Sequence, residues 1–248
     1  MYVVMELEFI KNKVYYKFFD KTYTSSSGIY SIHRYDDAAK LAEIQQNINN
    51  IKRDFATKDL IILKQVHGNY VLCADTADPT QQLEADAVVA TKKNVALSIL
   101  TADCVPVLFA SSNGDVIGAA HCGWRSAKAD IIHNVKNMMK NKGAKNIKAI
   151  IGPAIGQESY EVDANYYQAF VNGSAAYMDL FKPSSKNNHF MFNLVGFVAR
   201  KLAYDDIELV HNVCEDTYSL PEKYPSYRRC VHQGLPYSQN ILSTIIIK

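Results

Sequence analysis

Residues 115–126 read DVIGAAHCGWRS. The first half is an apolar run. The second half gathers His121, Cys122, the chain's single tryptophan and Arg125 around Gly123. A short apolar run closed by glycine reads as a buried strand. A ligand, a thiol and a fixed positive charge therefore fall where that strand ends. Downstream, Ile131, Ile132, Val135, Met138 and Met139 recur at helical steps, Gly143 supplies a stop, and Ser126 is placed to cap the start.

Upstream the same signal repeats. LIILKQ (60–65), YVLCAD (70–75), ADAVVAT (85–91), VALSIL (95–100) and VPVLFA (105–110) all read as strands, and YVVMELEFI and VYYKFF form an opening hairpin around KNK. Between them lies a helix over 36–55. Leu41, Ile44, Ile48, Ile51 and Phe55 mark its apolar face, and Asp36 and Asp37 stand near its start. Beyond residue 146, IKAIIG is a strand, GPAIGQESYEVD a loop, Tyr166 to Val171 and Leu194 to Leu202 helices, and IELVHNV and NILSTIIIK strands. Clustered strands with helices at intervals predict an α+β fold, a layered sandwich of mixed sheet with flanking helices. No Pro/Gly/Ser-rich linker divides residues 1–248, which predicts a single domain.

Bulk composition narrows the classes. The 248 residues are 48% hydrophobic and 21% charged, with a formal charge of +2 and no basic block. That is ordinary for a soluble domain and offers nothing for nucleic acid. Five irregularly spaced cysteines argue for a reducing compartment rather than a disulfide framework. MYVVMELEFIKNK is too charged for a secretory signal, and no apolar run approaches the about 20 residues of a membrane span. The expected location is cytoplasmic.

Three segments share one layout. KQVHGN puts His67 after an apolar run; TADCVP does so for Asp103 and Cys104, and AAHCGWR for His121. A lone cysteine or histidine at such a place is usually a packed or hydrogen-bonded residue. Three at equivalent strand ends can converge, and His, Cys and His suit zinc with an open fourth position, or copper. A competing reading makes Cys104 a nucleophile paired with His121 or His67. Asp103 is a nearby acid, although on a strand it would point away from Cys104. By the same alternation Cys122 would point away from His121. Arg125, beside the expected helix start, suits an anion such as phosphate; the alternative is a salt bridge or a stack on Trp124.

KQVHGN, ADAVV, LTADCVPVLF, GAAHCGWR, IGPAIGQESYEV and SYRR resemble, in this order, the YfiH-type family. That family is also named for multicopper polyphenol oxidoreductase (laccase) domains and for purine nucleoside phosphorylases. The resemblance spans about residues 60 to 230 and implies an α+β sandwich like that of cysteine hydrolases. It implies zinc held by His67, Cys104 and His121, with copper as the alternative. It also implies phosphorolysis of adenosine, inosine, guanosine and methylthioadenosine, hydrolytic deamination of adenosine, and, in older descriptions, copper-dependent phenol oxidation. Expected partners are purine nucleosides and phosphate, the latter held by Arg125 with Arg228 as second choice. Asp103 is the proton-carrier candidate for deamination. A non-catalytic metal or nucleotide binder is the remaining alternative.

The chain departs from the family pattern in places. Cys122 replaces an alanine, GWRG reads GWRS, an arginine- and glycine-rich N-terminal segment reads DKTYTSSSG, and the final glycine–arginine reads SQN. Two fewer positive charges are expected in the pocket.

Overall fold

A computed structural model describes residues 7–23, 28–30, 37–77, 83–172, 175–237 and 239–248. Most of the expected opening strand, Asp36, residues 24–27 of DKTYTSSSG and Ser238 lie outside the described residues.

The apolar runs form two stacked sheets. The first has the spatial order β1 (Leu7–Ile10), β2 (Val14–Phe19), β14 (Ile241–Ile247), β6 (Val95–Thr101) and β3 (Asp59–Ile62). The second runs β13 (Glu208–Asn212), β9 (Ile147–Ile151), β7 (Val105–Ser111), β8 (Ile117–Cys122), β5 (Ala87–Ala90) and β4 (Val71–Cys73). Pairings are mixed: β3 with β6, β4 with β5 and β9 with β13 are parallel, and the remaining pairs antiparallel.

Period-2 alternation sorts the side chains into layers. Leu97, Ile99 and Ile245 of the first sheet pack against Val88, Leu108, Ala119 and Ile150 of the second. Each fully buried Val, Leu or Ile side chain there contributes about 1.5–3 kcal/mol. The outer face of the first sheet presents Phe19, Leu100 and Ile246 to Ile51 of α1 (Ala38–Asp54) and to Phe55 at its C-terminal cap. The outer face of the second presents Val107, Phe109, Ala120 and Cys122 to α2 (Trp124–Lys128), α3 (Ile131–Asn141) and α5 (Leu194–Tyr204). This is the expected α+β sandwich with flanking helices.

Local expectations were met unevenly. Helix α1 (Ala38–Asp54) is capped by Asp37, which accepts from Lys40 N. Ile44 and Ile51 are buried, but Leu41 is 38% exposed and Asn47 takes an inward position at 1%. Asn47 Nδ2 donates to Ile29 O at 2.7 Å, which explains a polar residue on the inner face. Ser126 is not the expected cap. Gly123 occupies that position, and Ser126 lies inside α2, where Oγ donates to His121 O and Gly123 O. The single helix expected after Ser126 is two, because Asp130 turns left-handed at φ 64° between them. Gly143, at φ 90°, does follow the end of α3.

A third, antiparallel sheet of β10 (Glu161–Asp163), β12 (His189–Phe192) and β11 (Phe181–Pro183) packs its aromatic residues beside α4 (Ala164–Val171). One more helix, α6 (Tyr227–Gln233), precedes β14.

The loop after β9 is tied to the loop after β13. Asp216 accepts from Gly156 N at 2.9 Å, Tyr218 N at 2.9 Å and Ser159 Oγ at 2.5 Å. Burial pushes this carboxyl up, but those bonds outweigh it and hold it below the usual range. Its folded value therefore lies below the unfolded value of about 3.9. The contribution to stability is complete above that pH and is lost as pH falls through the folded value. Asp216→Asn is expected to destabilise the protein at neutral pH and progressively less as pH falls below the unfolded value of about 3.9. Urea denaturation across that range measures it, and a pH-independent difference would refute the assignment.

Candidate metal centre

The chain brings its three separated segments to one end of the sandwich. Cys104 follows a tight turn after β6. Asp103 in that turn sits at φ 89°, and its main-chain oxygen accepts from Ile155 N at 2.9 Å. His121 lies near the end of β8, on the inter-sheet side by its alternation with Ala119, whereas Cys122 faces the helix-side core. His67 stands in the loop after β3, at φ 62°. The ligand atoms of His67, Cys104 and His121 all lie within 4.8 Å of one another. The two imidazoles meet edge to face, with centroids 4.7 Å apart.

One carboxylate organises both histidines. Asp86, 0% exposed at the start of β5, accepts from His121 Nδ1 at 2.8 Å. It also accepts from Val66 N at 3.1 Å, His67 N at 2.9 Å and Gly68 N at 2.7 Å. An ionised carboxylate only accepts, so Nδ1 of His121 carries a proton and Nε2 is left as the ligand atom. ADAVV contains this aspartate, yet one acid before an apolar strand carries no spacing signal. Its role shows only in contacts 19 and 35 residues away.

Electrostatics favour a thiolate. Burial pushes the Cys104 thiol up, but the His121 charge and hydrogen bonds from both histidines bring it down to about 6. Burial lowers His121, while the Cys104 charge and the Asp86 hydrogen bond raise it to about 9. Burial holds the Cys122 thiol protonated, consistent with a packing role.

The donor set fits a metal ion. One thiolate and two imidazoles suit zinc or copper, and the backbone leaves room for the three side chains to meet. A Cβ on Gly123 would lie 3.1 Å from both Cys104 Sγ and His67 Cδ2, so each would have to give by a few tenths of an ångström. Gly123→Ala is expected to keep the fold and lose about tenfold or more in metal affinity. A competition titration with a chromophoric chelator reads this, and unchanged affinity would show that the cradle is not what holds the ligands.

Other expected residues fall around this centre in different ways. Arg125 lines the same cavity of about 500 Å³ as the three ligands. Its guanidinium sits 4.9 Å over the Trp124 ring, and among the described residues it forms no ion pair. Helix α2 has only five residues, so the dipole expected to help Arg125 is small. Asp103 and Arg228 are outside the cavity lining. Asp103 Oδ1 accepts from Thr217 Oγ1 at 2.7 Å, and Oδ2 from Arg228 N at 2.6 Å. Burial raises this carboxyl despite those bonds. Arg228 Nη1 donates to Glu161 O at 2.6 Å, and its guanidinium lies 4.9 Å over the Tyr160 ring.

A family model described as multi-copper polyphenol oxidoreductase laccase matches residues 18–240. A purine nucleoside phosphorylase of Rickettsia conorii is 46% identical over 242 residues, covering 96% of this chain and 98% of that protein. The purine nucleoside phosphorylase YfiH of Shigella flexneri is 32% identical over 188 residues, 73% of this chain and 74% of its own length. The chain belongs to the YfiH-type family. Its fold agrees: the crystal structure of a Neisseria meningitidis protein superposes with a TM-score of 0.84 at 23% identity, covering 98% of both chains. Among the described residues of this YfiH-type protein, no helix is long and apolar enough to cross a membrane. Of its departures from the family pattern, Cys122 is core, Ser126 bonds the backbone around Gly123, and Asn240 lines the cavity.

Proposed function

We propose that this chain is a metal-dependent purine nucleoside phosphorylase. It would split adenosine, inosine, guanosine or methylthioadenosine with phosphate, giving free base and ribose 1-phosphate. The observation that carries this reading is the meeting of His67, Cys104 and His121 in one cavity with Arg125. The chain's likeness over nearly its whole length to a protein named purine nucleoside phosphorylase gives that cavity its substrate class.

His67, Cys104 and His121 would hold the ion, taken as zinc, which when bound supplies Lewis-acid stabilisation of an oxygen. Phosphorolysis places positive charge on the sugar and negative charge on the departing base. Among the described residues Arg125 forms no ion pair, so its charge is available to orient phosphate toward the sugar. Asp103 is read as a positioning residue: its carboxylate fastens the turn bearing Cys104 to Thr217 and to the start of α6. Arg228 is engaged with Glu161 and Tyr160, which leaves Arg125 as the phosphate ligand.

The test is an adenosine assay with and without phosphate on protein of measured metal content. Ribose 1-phosphate formed only with phosphate supports the reading. Inosine formed without phosphate assigns deamination instead, and phenol oxidation by copper-loaded protein assigns the laccase-like alternative. Arg125→Ala is expected to raise KM for phosphate about tenfold or more while bound metal is unchanged. An unaltered phosphate KM would remove Arg125 from the site.

A further inference from the structure

The cavity holds a second polar spot that the metal and phosphate do not use. Thr101 ends β6 and Asn240 precedes β14. The antiparallel pairing of Thr101 with Ile241 brings the two residues beside each other. Both line the cavity, yet they are only 2% and 3% exposed. Asn240 commits its backbone N–H to Gly28 O at 2.9 Å and its Nδ2 to the Tyr237 hydroxyl at 2.6 Å. Asn240 Oδ1 and Thr101 Oγ1 have no partner among the described residues. Buried polar atoms are nearly always paired, so two neighbouring orphans on one cavity mark a place where a ligand supplies the partners.

The surroundings say which part of a ligand. Tyr227 and Tyr237 line the same cavity with ring centroids 5.3 Å apart, and Leu63 and Leu100 add apolar wall. Aromatic and aliphatic walls suit a flat heterocycle better than a sugar. The orphans offer an obligate acceptor, the amide oxygen, beside a hydroxyl that can donate. A purine six-membered ring presents the complement: a donor next to an acceptor, as N6–H and N1 in a 6-aminopurine or N1–H and O6 in a 6-oxopurine.

Resting on the phosphorylase reading, we propose that Asn240 and Thr101 read the polar edge of the purine base. Asn240 Oδ1 accepts the purine N–H, and the Thr101 hydroxyl donates to the neighbouring acceptor. The pair acts as a specificity determinant that favours purines substituted at C6.

The test compares adenosine with purine riboside, which has no N–H at that edge, and with 2′-deoxyadenosine. In Asn240→Leu the kcat/KM ratio of adenosine to purine riboside is expected to fall about tenfold, whereas Thr101→Val, whose partner N1 both nucleosides carry, should lower kcat/KM for both about tenfold and leave that ratio unchanged. The ratio of adenosine to 2′-deoxyadenosine should stay put. Thr101→Ser should keep wild-type kcat/KM for both nucleosides. Thr101→Val should melt no lower than wild type, because it removes an unpaired buried hydroxyl. An adenosine-to-purine riboside ratio within about twofold of wild type in Asn240→Leu, wild-type kcat/KM for both nucleosides in Thr101→Val, or a change confined to the 2′-deoxyadenosine ratio overturns the proposal. If the wild type turns over neither nucleoside, the phosphorylase reading fails. Calorimetric binding of adenosine and purine riboside then decides this one. A preference for adenosine that Asn240→Leu loses, with weaker binding of both nucleosides by Thr101→Val, sustains it; equal binding by the wild type overturns it.

Discussion

Cys104→Ala is expected to leave a folded protein without bound metal and without phosphorolysis. The loss in metal affinity should exceed the roughly 10- to 100-fold typical of removing an outer partner, because a ligand itself is gone. The fold should survive. Cys104 is only half-buried, and the turn that carries it is held by the Asp103 contacts to Ile155, Thr217 and Arg228, none of which involves the thiol. Inductively coupled plasma mass spectrometry, a thermal melt and the phosphate-dependent adenosine assay read the three properties separately. The same variant separates a ligand from a nucleophile. A nucleophile's loss would stop turnover with metal retained, and intact mass would reveal a covalent adduct on the wild type under turnover. His67→Ala and His121→Ala must match Cys104→Ala in metal content if the three act as one site. If Cys104→Ala keeps both metal and full turnover, the centre lies elsewhere.

How far such a centre can be read in advance depends on what each residue's neighbours are. His67, Cys104 and His121 could be grouped because each follows an apolar run, and runs of that kind end together when their strands are neighbours. Cys122 could be set aside because adjacent residues on a strand face opposite ways, and it does lie in the helix-side core. Other features rest on contacts that no period encodes. Asn47 is inward because Ile29 O needs a donor, and Leu41 is outward although it fits the helical face. Ser126 has the chemistry of a cap, but the helix already starts at Trp124, so its hydroxyl bonds the preceding backbone instead. The three-stranded sheet escaped notice because β10 and β11 have three residues each, too few for alternation to register. Arg228 and Asp103 looked free for chemistry. Their commitments to Glu161, Tyr160 and Thr217 come from parts of the chain that approach only in three dimensions.

Asp86 is the plainest case, and its removal carries the second large effect. Asp86→Ala strips one acceptor from four donors at once: the main-chain N–H groups of Val66, His67 and Gly68, and Nδ1 of His121. The loop donors can turn toward water, since His67 is exposed, but His121 is buried and left without its partner. The expected cost is about 3 kcal/mol, or roughly 6–12 °C in melting temperature for a chain of this size. Asp86→Asn separates that structural cost from the effect on the metal. The amide keeps the volume and one acceptor oxygen, but its NH2 now faces a donor. If the NH2 takes the place of Oδ1, it meets His67 N and His121; it can only donate to Nδ1, which moves the ring proton to Nε2 and blocks the ligand atom. If it takes the place of Oδ2, the Val66 and Gly68 N–H groups lose their acceptor and the loop on either side of His67 is loosened, although His67 N keeps Oδ1. Either orientation damages one histidine ligand. Asp86→Asn should therefore melt closer to wild type than Asp86→Ala while binding metal about 10- to 100-fold more weakly. Chelator competition on both variants beside their thermal melts is the measurement. Wild-type metal affinity in Asp86→Asn would mean that this carboxylate only braces the fold, and that His121 finds its orientation without it.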